Sequence, residues 1–218
     1  MTERKPSLWK LAPLALLALT LGGCTLLGSP GAAPPSLFTL ALERERVPMH
    51  ELAARTIEIA PPSARPGFEG PRMAYVTRAY EIQYFARHQW VEPPARMIAP
   101  LLGEALERDG SFRAMQGGES GAPALRLETE IVALQQEFTT QSSQLRFTLR
   151  ARLLDGSEGR VLATAGFEAV EPSPSDDPYG GVIAANRAVA RVLDEVAKWC
   201  AENGIGRTSG SSTPEGAR

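Results

Sequence analysis

Three runs of alternating residues between Leu125 and Ala169 limit what this chain can fold into more than any other feature. In the first run, Leu125, Leu127, Thr129, Ile131 and Ala133 alternate with Arg126, Glu128 and Glu130. In the second, Leu145, Phe147, Leu149, Ala151 and Leu153 alternate with Arg146, Thr148, Arg150 and Arg152. In the third, Val161, Ala163, Ala165, Phe167 and Ala169 recur at every second position. A period of two is the spacing of a strand with one apolar and one polar face. Asp155–Gly156 marks a turn between the second and third runs. The expectation is an antiparallel meander, one face in the core and one in water. Acids on the first strand face arginines on the second. Such cross-strand pairs contribute a few tenths of a kcal/mol each, and the same charges also serve simply to solvate that face.

The rest of the domain follows other periods. Met97, Ile98, Leu101, Leu102, Ala105 and Leu106 share one face of a helix. Pro93 and Pro94 start it after Glu92, because a missing N–H matters least in the first turn. Gly110 stands where a left-handed C-cap belongs. A second helix is expected from about Tyr179 to Glu202, with Val182, Ala185, Val189, Leu193, Val196 and Cys200 on one stripe. Short strands are expected in "SLFTLAL", "RTIEIAP" and "SFRAM". "RMAYVTRAYEIQYFA" reads as two strands broken near Arg78–Ala79, with Tyr80, Ile82 and Tyr84 on one face. The fold class is therefore α/β of the α+β kind: a mixed, largely antiparallel sheet packed with two main amphipathic helices.

The first 36 residues are not fold material. Arg4, Lys5 and Lys10 precede the uncharged run Leu11–Leu21, which is shorter than the roughly 20 apolar residues a spanning helix needs. That pattern is an export signal. It ends in "LGGC" (Leu21, Gly22, Gly23, Cys24), which resembles the lipobox of bacterial lipoproteins. The resemblance implies cleavage between Gly23 and Cys24 and lipidation of Cys24. Thr25 rather than Asp at the next position favours the outer membrane on the same resemblance. The expected organisation is signal peptide 1–23, lipidated cysteine and flexible tether 24–36, domain 37–202 and disordered tail 203–218. "TLLGSPGAAPPS" would let the domain stand at most about 40 Å from its anchor.

Removing residues 1–23 takes away three basic residues and Glu3 from 23 basic and 25 acidic, leaving 20 against 24, a net charge of −4. A mildly acidic chain has no electrostatic reason to bind nucleic acid. Cys200 is then the single thiol, which excludes an intramolecular disulfide and reads as a small buried residue on a helix.

Catalytic patterns are missing. The histidines are His50, in a charged stretch, and His88. There is no GxSxG elbow, no HExxH and no phosphate-binding loop. Asp176 and Asp177 in "EPSPSDDP" fit a solvated loop better than a weak calcium site. The reading is a non-enzymatic protein without metal or cofactor. The densest stretch, "YFARHQWVEPPARM", is a strand, a turn and a proline-started helix. Its Tyr84, His88 and Trp90 are either anchors of that junction or a partner contact, since aromatics concentrate at interface hot spots.

"YEIQYFARHQWVEPPARMIAPLLGEALE", with "TIEIAPPSARPGFEGPRMAYVTR" before it, resembles the signature region of the ABC-type transport auxiliary lipoproteins, the PqiC-like family. The likeness spans Leu37 to Trp199. It implies a fold similar to the TolB N-terminal domain. It implies an accessory role beside an ABC permease, its ATPase and an MCE-type protein, in systems that move phospholipids or other hydrophobic compounds between the inner and outer membranes. It adds no catalytic residue. Further copies of the chain are a possible partner, as is the membrane through the anchor. A periplasmic lipid carrier and a structural lipoprotein of another envelope complex are the alternative readings.

Overall fold

The computed structural model describes residues 34–42, 55–116 and 123–205. The signal segment, Cys24, most of the tether, His50 and everything after 205 lie outside the described residues. The chain divides into two units at Pro34/Pro35, and the elements below belong to the second, Pro35–Arg218.

The described elements run β1 (Ser36–Phe38), β2 (Thr56–Ile59), β3 (Ser63–Ala64), β4 (Arg72–Val76), β5 (Gln83–Trp90), α1 (Pro94–Asp109), β6 (Arg113–Gln116), β7 (Leu125–Glu137), β8 (Gln144–Asp155), β9 (Val161–Pro172) and α2 (Pro178–Ile205). Among the described residues the fold is mixed α/β: a nine-stranded sheet and two helices. The two longest ladders, β7–β8 and β8–β9, form the antiparallel meander. On its other side β7 pairs in parallel with three separate strands, β2, then β3, then β4. From there one branch continues to β6 and the other through β5 to β1.

The alternating residues land where their period places them. Leu125, Leu127, Ile131, Phe147, Leu149, Ala151 and Leu153 are at most 3 % exposed. The series breaks at a bulge between Ile131 and Ala133. Beyond it the phase is reversed, so Leu134 and Gln136 face inward and Ala133 is only half-buried. Strand alternation flips all later side chains when one residue is added.

Helix α1 begins at Pro94 and ends at Gly110, whose φ of 82° is the left-handed cap expected there. Pro100 lies within it, on an exposed position that leaves the apolar face intact. Helix α2 runs three residues past its expected end, to Ile205. Its buried stripe includes Ala184, Ala185, Ala188 and Ala197, small residues that let the helix axis lie close to the sheet. At its start, a Cβ on Gly180 would stand 2.2 Å from the Ser175 carbonyl oxygen, so no larger residue fits there without moving the backbone. Both helices pack into one core with the inner face of the sheet.

Two expectations need correction. "SLFTLAL" is a strand only over Ser36–Phe38. Tyr80 and Ile82 do not join Tyr84 on an inner face. Tyr80 is fully exposed at a φ of 68°, Ile82 is 42 % exposed, and β5 starts after both. The turn that breaks the two strands extends to Ile82, which period alone does not reveal.

The opposite face of the meander is charged and paired in register. Glu128 lies beside Arg152 and Glu130 beside Arg150. Arg146 Nε donates to Glu137 Oε1 at 2.8 Å and its Nη1 to Glu168 Oε1 at 2.5 Å. Glu137 is buried at 9 % exposure. Burial alone would raise its pKa, but bonds from Arg146, Gln135 and Gln144 outweigh it and hold the carboxyl below the usual range. A depressed carboxylate stabilises the fold above its unfolded pKa, and that contribution is lost as pH falls through the folded value. Arg146→Ala should therefore destabilise by about 1–3 kcal/mol at neutral pH, and the deficit should shrink in acid below the normal carboxylate range. Arg152→Ala, on an exposed pair, should stay within about 0.5 kcal/mol. Urea unfolding of both variants across pH measures this.

Candidate functional site

The segment that joins β5 to α1 is built around a large bulge. Arg72 pairs with Gln89 and Ala74 with Tyr84, so β4 advances two residues while β5 advances five. The extra length lifts Phe85, Ala86, Arg87 and His88 out of regular pairing with β4. Ala86 and Arg87 are exposed, while Phe85 and His88 are half-buried. Strand β1 closes over the far side of β5, pairing Ser36 with His88 and Phe38 with Trp90.

The three aromatic-segment residues have different surroundings. Trp90 is 3 % exposed and belongs to the core cluster. The Tyr84 hydroxyl donates to the Gly67 carbonyl at 2.9 Å, and the Arg72 guanidinium lies 3.8 Å from its ring centroid. His88 stacks on Phe38 at 6.0 Å and meets Phe85 edge-on at 6.1 Å.

His88 is one member of a longer row. Phe138, Tyr75, Phe85, His88, Phe38 and Tyr179 follow one another with ring centroids 4.6 to 6.2 Å apart. These six rings come from β4, β5, β1, the end of β7 and the start of α2. Most aromatics sit at phases that suggest a filled core, yet this row is only partly covered. Tyr179 at its end is 61 % exposed, and Leu37 and Val91, chain neighbours of Phe38 and Trp90, are 58 % and 48 % exposed. The Val91 amide donates to the Phe38 carbonyl at 2.8 Å, which fixes Val91 next to β1. No linear motif marks such a row, because its members are up to 141 residues apart. The bulge that presents Phe85 and His88 has no period of its own.

The start of α2 is capped rather than catalytic. Asp177 Oδ1 accepts the Gly180 amide at 2.7 Å and Asp176 Oδ1 accepts the Ser143 amide at 2.6 Å. These amides are the first cause that holds each aspartate below its usual pKa, and His88 adds a smaller effect on Asp177. Buried Gln136 donates to Ser143 Oγ at 2.9 Å and to the Asp177 carbonyl at 3.1 Å. Among the described residues no group of three His, Cys, Asp or Glu is arranged to hold a metal.

A groove of about 820 Å³ runs along α2 between Tyr179 and Asp194, with Val182, Ile183 and Ala190 on its helix wall. The chain after β1 forms its other wall. The Ala41 amide donates to Asn186 Oδ1 at 2.7 Å. Ion pairs Arg108–Asp194 and Arg191–Glu171 border it.

The family model for the ABC-type transport auxiliary lipoprotein component matches residues 38–197. The chain belongs to that family. Among solved structures it is similar to protein XCC0632 from Xanthomonas campestris, with 21 % identity, a TM-score of 0.68, and coverage of 78 % of this chain and 96 % of that one. It is also similar to the hypothetical protein CT253 from Chlamydia trachomatis, with 9 % identity, a TM-score of 0.50, and coverage of 70 % and 99 %. At these identities the likeness is one of fold. No curated protein matches the chain. The auxiliary lipoprotein family associates the chain with the cell envelope and with transport, and an auxiliary component is a role that asks for no catalytic centre. Among the described residues no helix is long and apolar enough to cross a membrane.

Cys200 is fully buried, and that burial pushes its thiol pKa up to about 12. A thiolate is the reactive form, so the folded thiol is inert. A disulfide-exchange reagent should find no reactive thiol in native protein that lacks a free Cys24, and one per chain after unfolding. Trp90→Ala should cost about 3–5 kcal/mol, whereas His88→Ala should cost under about 1 kcal/mol. Equilibrium urea unfolding separates the two positions.

Proposed function

We propose that this chain is a lipid-anchored, non-enzymatic accessory subunit of an ABC transport system. The system carries phospholipids or other hydrophobic compounds between the inner and outer membranes. The observation that carries the reading is the family match over 38–197 together with a lipobox ending in Cys24. The signal 1–23 is removed between Gly23 and Cys24, and the acylated cysteine holds the domain on the periplasmic face of the outer membrane. Several acyl chains, each burying CH₂ groups at about 0.8 kcal/mol apiece, anchor far more firmly than one. The partners are an MCE-domain protein and the permease and ATPase of the same system, with further copies of this chain where the complex is symmetric. The partner surface on this side includes His88, since Trp90 is enclosed and Tyr84 is held by Gly67 and Arg72.

Affinity purification from detergent-solubilised membranes should recover an MCE-type or permease subunit. Recovery of neither sinks the proposal. Cys24→Ala should move the protein from the membrane fraction to the soluble periplasm, read by fractionation and immunoblot.

The groove along α2 favours a second reading, in which the subunit itself holds a lipid chain against Val182, Ile183 and Ala190. Native mass spectrometry of the protein purified without its anchor decides it. A ligand-free mass under gentle conditions removes this reading and leaves the first in place.

A further inference from the structure

The exposed end of the aromatic row coincides with the place where the chain enters the domain. The described chain begins at residue 34, and β1 starts two residues later. Phe38 of that strand is already the fifth ring of the row. Leu37 precedes Phe38 and Val91 bonds to Phe38 through its amide, so strand alternation turns both to the other face of this same edge, where they are exposed. Tyr179, in the first turn of α2, meets Phe38 on the inner side of that edge.

We infer that this edge of the domain rests on the bilayer surface, with Leu37, Val91 and Tyr179 in the headgroup layer. The inference deepens the proposed function and rests on its reading of Cys24 as a lipid anchor. Twelve residues between Cys24 and Leu37 can reach at most about 40 Å. The face nearest the tether's attachment therefore meets the membrane at high effective concentration. A weak surface affinity is enough under those conditions.

The chemistry of the patch suits that occupant. The Tyr179 ring has an apolar body and a polar edge, the combination enriched at membrane interfaces. Aliphatic Leu37 and Val91 supply the part that enters the acyl boundary. The neighbouring charges select the lipid. Asp176 and Asp177 flank Tyr179, and Glu92 follows Val91. Both aspartates are held in their charged form. No basic cluster accompanies them, since Arg87 and Arg96 are the arginines of the adjoining segment. The contact is thus with zwitterionic headgroups, and it is carried by apolar burial, so salt leaves it unchanged.

The test uses the full acylated protein in vesicles of phosphatidylethanolamine and phosphatidylcholine. Spin labels are placed on Val91→Cys, Tyr179→Cys and, at the far end of β8, Glu158→Cys. Cys200 is buried and does not compete for the label. Strand β8 separates the two ends by twelve residues, or about 40 Å. Mass spectrometry first establishes acylation of each preparation. The ratio of oxygen to water-soluble nickel accessibility should be at least about twofold higher at 91 and 179 than at 158, and unchanged when salt is raised. Labels at 91 and 179 as aqueous as that at 158 in acylated protein overturn the inference, as they would if this edge instead faces a protein partner. A chain that carries no acyl groups overturns the anchor reading, and this inference with it.

Discussion

The apolar contact between α2 and the β7–β8–β9 meander is the interaction on which the rest of this structure depends. It buries the alternating side chains of two long strands under one long helix. The alanines of α2 make the approach close, and leucines and phenylalanine from the sheet fill the space they leave. Large-to-small pairing of this kind gives native packing density without voids. Once this layer is formed, β7 still has a free edge. The short strands β2, β3 and β4, each too small to stand alone, attach to it.

The same contact explains where function can reside. The inner face is filled, and the outer face of the meander is covered by in-register ion pairs. What remains is the end of the sheet beyond the first turn of α2. There the helix no longer covers the strands, and the aromatic row takes its place as a partial cover. Trp90 and His88 illustrate the division within two residues. One closes the core where β5 meets α1, and the other, on the bulge, stays half-buried against Phe38.

Much of the fold was legible in one dimension. The meander, the proline start and glycine stop of α1, and the stripe of α2 all follow from a repeated period or a backbone requirement. The parallel pairings of β7 were not legible. Strands of two to five residues have too few alternations to show a period, and their partner is chosen by the edge it leaves open. The two departures in phase, at Ile131/Ala133 and across residues 85–88, have a common cause. A bulge adds residues without a sequence signature, and everything after it changes face. The aromatic row escaped for a related reason. Its rings belong to separate elements, so only the tertiary arrangement makes them neighbours. The proposed anchor is the opposite case, since the lipobox resemblance at Cys24 is read locally and needs no fold.

The three parallel attachments to β7 also set an order in time. Ribosomes make β2, β3 and β4 well before β7, and Ile57 must wait for Leu125, 68 positions later. Closing such loops carries an entropic penalty before any contact rewards it. Strands β2 and β4 can pair early with β6 and β5, but the β7 partner of β2, β3 and β4 is absent while the chain is still emerging. The β7–β8–β9 hairpins, by contrast, pair locally. The carboxy-terminal half is the template, and the first-made strands keep one edge open until nearly all of the chain has been made.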